Sequence, residues 1–335
     1  MKLMKRSFSV LLACFISLSA FSQEPLRNFF QAGEDNARIL TKAYLKPYGE
    51  MLGTSLNAGW YNTAKVHKLG GFDLTFSVMN AVAPSSATTF DVSELNLNGL
   101  TVEGTSAPTI AGDMPEADRA VLSPSAAGGD MAEFTMPNGA GNDKLPIPML
   151  QAAVGLPFNT EVMARFVPTM DFGDAGEVSA IGFGLKHSLK DYIPFVKRLP
   201  FLQMSVLAAY TDFNSSYGVG SGGMMEVENG ALDISSGAFT TRLLVGANFP
   251  VVAIYTGVGY GSTNSDFDVK GTYTYTNDSS QEISIGPDPF TLGYKTTGID
   301  FNAGLRLRLG FLALHADYTV GDYSVLTAGV GINIR

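Results

Sequence analysis

Residues suited to covalent or metal chemistry are scarce in this sequence: one cysteine and three histidines among 335 residues. The cysteine, Cys14, lies in an N-terminal apolar stretch that reads as a leader. Removal of that stretch leaves no thiol, which excludes disulfides, zinc thiolates and cysteine nucleophiles. Charge is scarce too, at 16% of residues against ~25% in ordinary domains. The balance of 22 Lys and Arg against 31 Asp and Glu has the wrong sign for a phosphate backbone and excludes nucleic acid as a partner. Long apolar runs are also missing. After residue 22 no run approaches the ~18 residues of a membrane-spanning helix.

What is present points the other way. Hydrophobic residues make up 45% of the chain, with 37 Gly, 22 Phe and 13 Tyr, and the mean hydropathy is +0.13. That content excludes disorder. Only helices and closed barrels satisfy the backbone in lipid. A chain this apolar without a spanning helix is therefore a β-barrel if it resides in a membrane.

Lys2, Lys5 and Arg6 precede an apolar stretch from Phe8 to Phe21, and Ala20-Phe21-Ser22 fits a signal-peptidase site. Residues 1–22 read as a signal peptide, with Gln23 the first mature residue. Removing three cations and no acids takes the net charge from −9 to −12. A lipoprotein cut before Cys14 is the alternative, but it would leave an apolar region at the ~7-residue floor for such signals.

From Pro25 to Tyr48 the period is helical, with Phe29, Phe30, Ala37, Leu40, Ala43 and Tyr44 at three- and four-residue spacing. Pro47 and Gly49 are expected to stop it. Residues 23–50 are thus expected to plug a barrel or lie on its periplasmic side, with the barrel over 51–335. Beyond Thr54 the period becomes two. Phe72, Leu74, Phe76 and Val78 alternate with Asp73, Thr75, Ser77 and Met79, and Ile299 to Leu309 alternates with Asp300, Asn302, Gly304, Arg306 and Arg308. Several runs reach ten to twelve residues, longer than the ~5–6 of a sandwich strand.

Fourteen strands are predicted, near 54–63, 70–82, 88–98, 147–157, 159–169, 176–188, 202–213, 238–249, 251–261, 268–276, 281–293, 297–309, 311–321 and 323–334, with twelve as the fallback. Residues 99–144 and 215–233 read as long surface loops. The expected fold is all-β: a transmembrane antiparallel β-barrel of 12–14 strands with N-terminal helical segments.

Two stretches carry a resemblance. Gly59-Trp60-Tyr61-Asn62-Thr63-Ala64-Lys65, followed by His67-Lys68 and Gly71-Phe72-Asp73, resembles the N-terminal signature of an uncharacterised outer-membrane barrel family of Gram-negative bacteria. Gly182-Phe183-Gly184-Leu185-Lys186-His187-Ser188-Leu189-Lys190-Asp191-Tyr192-Ile193-Pro194, with Pro200-Phe201, resembles its central signature. The resemblance implies residence in the cell outer membrane. The implied partners are outer-membrane lipids, lipopolysaccharide and the barrel-assembly machinery. In fold the family is similar to the long-chain fatty-acid transporters of that membrane. The chain departs from many such barrels by ending in Ile334-Arg335 rather than in an aromatic residue.

The candidate sites are modest. Asp300, Arg306, Arg308, His315 and Asp317 share the polar faces of two neighbouring strands and are read as a lumenal polar ladder. His315 and Asp317 could in principle serve a hydrolase, but no serine sits two residues away on that face. Lys190, Tyr192, Phe195, Lys197 and Arg198 form a basic and aromatic segment read as an interfacial anchor, with Ser188 as the cap of a short helix. Asn264, Asp266, Asp268, Asn277 and Asp278 supply oxygen ligands without the twelve-residue spacing of a calcium loop, and are read as a solvated loop. Gly257-Val258-Gly259-Tyr260-Gly261 lacks the strand-to-helix context of a phosphate loop. No cofactor or metal is expected, and no enzymatic activity. The expected function is passive passage or binding of a small hydrophobic molecule, with a structural or partner-binding barrel as the alternative.

Overall fold

The computed structural model describes residues 23–125, 133–171, 176–222, 225–276 and 281–334. The leader with Cys14, the residues Asn277 and Asp278, and Arg335 lie outside the described residues.

Among the described residues three α-helices and sixteen strands follow in chain order: α1 (Gln23–Phe30), α2 (Glu34–Asn57), β1 (Phe72–Val82), β2 (Thr89–Asp91), β3 (Leu100–Glu103), β4 (Ser106–Pro108), β5 (Val121–Pro124), β6 (Phe134–Thr135), β7 (Lys144–Leu156), β8 (Thr160–Asp171), β9 (Glu177–Ser188), α3 (Pro194–Arg198), β10 (Leu202–Gly218), β11 (Met225–Asn248), β12 (Val252–Thr276), β13 (Glu282–Ile285), β14 (Phe290–Leu309), β15 (Leu312–Val320) and β16 (Ser324–Ile334). The main sheet runs β11-β10-β9-β8-β7-β1-β16-β15-β14-β12-β13, and β11 also pairs with β12. That pairing closes an antiparallel barrel. The four-residue β13 pairs only with the far end of β12, so the wall itself has ten strands.

Ten is fewer than the twelve to fourteen read from periodicity, for two physical reasons. Residues 54–63 belong to the end of α2 and the segment after it, and 88–98 to the small β2–β4 region, so neither is a wall strand. The stretches 251–261 and 268–276 are one strand, β12, while 281–293 divides between the short β13 and the first four residues of β14, which continues through 297–309. The expected loop 215–233 is likewise mostly strand, because β10 runs to Gly218 and β11 starts at Met225. Residues 99–144 carry β4, which pairs with β2, and the small sheet β3–β5–β6.

β12 has 25 residues, roughly 80 Å of strand, whereas ~9–11 residues cross a bilayer. Its two faces exchange character part-way along. Outward, Ile254, Val258 and Tyr260 are exposed and apolar, and beyond them stand Asn264, Asp266 and Asp268. Inward, polar Thr263 and Ser265 give way to buried Phe267, Val269, Tyr273 and Tyr275. β10 does the same, with Val206 and Tyr210 outward before Asp212 and Asn214, and Phe213 and Tyr217 buried inward. One end of the barrel is therefore apolar outside and polar inside, the arrangement lipid requires. The other end has a conventional apolar interior beneath a polar surface.

The lipid-facing end carries the short connections at 157–159, 249–251 and 310–311, and there Phe72 pairs with Ile334. The far end carries the longest connection, 83–143, along with the short turn 321–323, while the 189–201 connection with α3 is at the lipid-facing end. In outer-membrane barrels short turns face the periplasm and long loops the exterior.

α2 runs down the inside of the wall. It touches β1, β7, β10, β11, β12, β14 and β16, and Gly49 to Asn57 is buried almost without interruption. Pro47 lies within the helix, which continues past Gly49 to Asn57, rather than ending it. A mid-helix proline costs ~3 kcal/mol, and the burial of Tyr44, Leu45, Tyr48, Met51 and Leu52 around Pro47 offsets that. Although 24 residues long, α2 carries its apolar residues around a polar lumen, and no described helix is long and apolar enough to cross a membrane.

Candidate functional site: a clamped lumenal segment

The N-terminal half of α2 packs with the long-loop end. The Ile110 amide donates to the Tyr44 carbonyl at 3.0 Å, and the Tyr44 hydroxyl donates to the Asn138 carbonyl at 3.1 Å. Burial raises the Tyr44 phenol above its ordinary value, so it stays a donor. Phe30 on α1 lies against Tyr273 and Phe290 at 4.4 and 5.7 Å between ring centroids. The helical segment thus starts at the long-loop end and descends toward the short-turn end.

A helix leaves its last carbonyls unsatisfied and partly negative, and cations stabilise that end. α2 carries no basic residue in its last turn. The wall provides two instead. Arg165 on β8 donates to the Ala58 carbonyl at 2.7 Å and the Leu56 carbonyl at 3.3 Å, and Arg242 on β11 donates to the Asn57 carbonyl at 3.3 Å. Arg165 also covers the Trp60 ring at 3.9 Å and donates to the Gln151 side chain at 2.8 Å. Both guanidiniums are buried.

The segment after the helix is held on all sides. Arg306 on β14 donates to the Asn62 side chain and to Asp73 on β1, each at 2.7 Å. Tyr61 donates to Asn302 at 2.9 Å, Asn302 to Asp317 at 2.7 Å, and Tyr255 to Asp317 at 3.0 Å. Ser205 donates to the Ala64 carbonyl at 3.0 Å. Glu161 on β8 accepts the His67 amide at 2.9 Å, contacts the His67 ring at 2.7 Å and pairs with Lys186 on β9 at 2.8 Å. Breaking one member of such a buried pair costs ~3–5 kcal/mol, because the other charge is stranded.

The five ladder residues do not form one ladder. Asp300 pairs with Arg242, with Nη2 donating to Oδ2 at 2.9 Å. Arg306 reaches Asp73, and Asp317 accepts from Tyr255 and Asn302. His315 lies across β16 from Ser77 at 3.3 Å, and both are buried. Arg308 sits at the short-turn rim and donates to the Pro250 carbonyl at 2.7 Å.

The interfacial segment divides as well. Tyr192 and Phe195 are 69% and 68% exposed, as an anchoring aromatic requires, and Lys197 meets Asp191 at 3.8 Å beside Arg198 at the end of α3. Lys190 is committed elsewhere: its ammonium donates to the carbonyls of Leu199, Pro200 and Leu202 at 2.9–3.0 Å and closes the loop. The short helix begins at Pro194 with no side-chain cap, rather than at Ser188. Among the described residues no cluster of His, Cys, Asp and Glu is arranged to hold a metal.

Two glycine tracts make room for the lumenal segment. A Cβ on Gly182 or Gly184 would lie 3.2 or 3.0 Å from the Trp60 ring, so the two signature stretches meet across the lumen. On β12, a Cβ on Gly257, Gly259 or Gly261 would lie 2.6–2.9 Å from Tyr61, Arg242 or Asn57. These glycines form a lane of close approach, not a phosphate loop.

The profile of the family of unknown function DUF6588 matches residues 1–334. The chain belongs to this family. No curated protein matches the DUF6588 chain. Among solved structures, the translocator domain of the autotransporter NalP from Neisseria meningitidis is similar at 12% identity and a TM-score of 0.31, covering 88% of this chain and 97% of that one. The transport unit of the autotransporter AIDA-I from Escherichia coli gives 8% identity and a TM-score of 0.32, covering 88% and 99%. The toluene transporter TbuX from Ralstonia pickettii gives 10% identity and a TM-score of 0.19, covering 84% and 93%.

Sequence reasoning passed over Glu161, Arg165, Lys186 and Arg242. Each lies on the inward face of an alternating strand, Glu161 and Arg165 on the same face of β8. A charge among the small and apolar residues of such a face was the available signal. Its partner lies on another strand or on the lumenal segment and needs the register to be found.

Proposed function

We propose that this protein is a closed barrel of the Gram-negative outer membrane that works as a binding platform at its two ends, not as a passage for small hydrophobic molecules. One observation carries the reading: the wall arginines Arg165 and Arg242 cap the C-terminus of the helix that fills the lumen. A hydrophobic solute needs an apolar path. The membrane-level lumen instead presents Glu161, Arg165, Lys186, Arg242, Arg306 and Asp317, already joined to the lumenal segment or to each other. The dome at the long-loop end offers a folded polar surface to lipopolysaccharide or an external partner. Insertion by the assembly machinery fits the alternating strands, which continue through Ile334.

Planar-bilayer recording is the test. The native protein is expected to give no steady conductance, and Arg165→Ala/Arg242→Ala to give intermittent opening. Steady conductance of the native protein, or protein-dependent uptake of a hydrophobic fluorophore into vesicles, would overturn the reading. Heat-modifiable migration and co-sedimentation with outer membranes test the location.

A further inference from the structure

The rim of the wall is uneven at the long-loop end. β15 pairs with β14 only over Phe301 to Leu309, and at that height β15 turns into β16, β1 ends at Val82 and β7 starts at Lys144. β14 runs on to Phe290 against β12 alone. Residues 290–300 thus have a wall strand on one side only. The direction of their backbone groups is fixed by the rest of the strand. The Arg308 amide donates to the Val251 carbonyl at 2.7 Å, and the register with β12 holds without a shift from Leu307 to Phe290. Even-numbered residues of β14 therefore bond β12. The odd-numbered Thr291, Gly293, Lys295, Thr297 and Ile299 turn their N–H and C=O toward the open side. None of the five has a backbone hydrogen-bond partner there among the described residues.

The open side is also uncovered. Thr297, Gly298 and Ile299 are all exposed, although successive strand residues point to opposite faces. An added Cβ would meet only Asp322 Oδ2, at 3.9 Å, from Gly298, and only Asp266 Oδ1, at 3.6 Å, from Gly293. A cavity of about 90 Å³ continues inward from Thr297 and Ile299 to Thr54 and Asn57 of α2. Lipid would not tolerate such an edge, but its neighbours on the outer face of β12, Asn264, Asp266 and Asp268, mark water. Unpaired edges are templates for another strand. Charge indicates which. Asp266, Asp268 and Asp322 form no ion pair among the described residues, against one cation, Lys295. A second copy laid on the same edge would set these like charges against each other.

We propose that the free edge of β14 takes an extended basic segment of a partner protein as an added strand. The five odd-numbered residues supply the main-chain ladder. Asp266, Asp268 and Asp322 select lysine or arginine on the outer face of the incoming strand. Such a segment is the partner of the long-loop end in the platform reading, on which the proposal rests. Bilayer conductance tests that reading and peptide binding tests the edge, so the two failures are distinguishable.

The test uses the full mature protein in detergent and reads the fluorescence anisotropy of labelled nonapeptides. One probe alternates lysine with threonine and one alternates glutamate with threonine. A third is the lysine peptide with all its backbone nitrogens methylated, which keeps the charge and removes the donors. The native protein should bind the lysine peptide, and the other two about tenfold more weakly. Thr297→Pro removes an N–H from the free edge and leaves the β12 ladder intact, so it should weaken binding of the lysine peptide about tenfold. Asp266→Asn/Asp322→Asn should weaken it as well, and Asp118→Asn, an exposed acid elsewhere, should leave it unchanged. Heat-modifiable migration shows that each variant is folded, and if Thr297→Pro is not, the methylated peptide makes the same comparison on the native protein. The proposal is overturned if the lysine peptide does not bind, if its methylated form binds equally, or if the glutamate peptide binds as well. An effect of Asp118→Asn equal to that of Asp266→Asn/Asp322→Asn also overturns it. A native dimer that Thr297→Pro dissociates would assign the edge to a second copy and overturn it too.

Discussion

The two ends of this barrel are built from the same strands under opposite rules. At the short-turn end Ile254, Val258 and Tyr260 on β12 face outward, and the inward face meets Arg242, Arg306 and Asp317. At the long-loop end the same strand turns Asn264, Asp266 and Asp268 outward and buries Phe267, Val269 and Tyr273. Antiparallel pairing with β11 and β14 runs unbroken from Ala253 to Val269, across the change. What changes is the solvent outside: a bilayer spans only ~9–11 residues of strand, and β12 has 25. The lower part holds its lumenal segment by ion pairs and capped carbonyls. The upper part holds α1 and the start of α2 by aromatic packing.

The largest test of this contrast is the loss of one member of a buried pair. Asp73→Ala strands Arg306 beneath the lumenal segment and should cost about 3–5 kcal/mol. Asp268→Ala, on the polar exterior of the dome, should change stability by no more than about 0.5 kcal/mol. Urea unfolding in vesicles separates the two, and equal effects would break the comparison.

A smaller effect is expected from the outer face of one strand. Val258→Arg places a charge in lipid and should cost about 2–4 kcal/mol if it lies near mid-bilayer. Asn264→Arg, six residues along the same face, should be close to neutral. The fraction folded on a heat-modifiability gel reports both. A cost for Asn264→Arg as large as for Val258→Arg would move the membrane boundary toward the long loops.

The smallest effect concerns close approach. Gly184→Val should push Trp60 away from β9 and cost about 1–3 kcal/mol, with a change in tryptophan fluorescence, since Trp60 is the sole tryptophan. Gly293→Val, where an added Cβ would meet its nearest neighbour at 3.6 Å, should cost less and leave the fluorescence unchanged.

The barrel was legible because its cause is local. Alternation in Phe72 to Met79 and Ile299 to Leu309 needs only neighbouring residues to be seen, and both stretches lie in wall strands. Strand number was not legible to the same degree. Where β12 and β14 pass from lipid to water their polarity pattern inverts, so each looked like two strands separated by a loop. Pro47 misled for a related reason: local propensity ends a helix there, and only the enclosing wall sustains it. Of the lumen charges, Asp300, Arg306, His315 and Asp317 were visible as polar-face residues, but their partners Arg242, Asp73, Ser77 and Tyr255 sit on other strands.

The sequence by itself determined that the chain makes long alternating strands and carries helical residues ahead of them. Periodicity and composition are properties of neighbours along the chain. Tertiary structure alone decided the closure at ten strands, the passage of α2 through the lumen, and the pairing of Arg306 with Asp73 and of Arg165 with the helix end. Those outcomes depend on register between strands far apart in sequence. A shift of one residue turns every inward charge out into lipid.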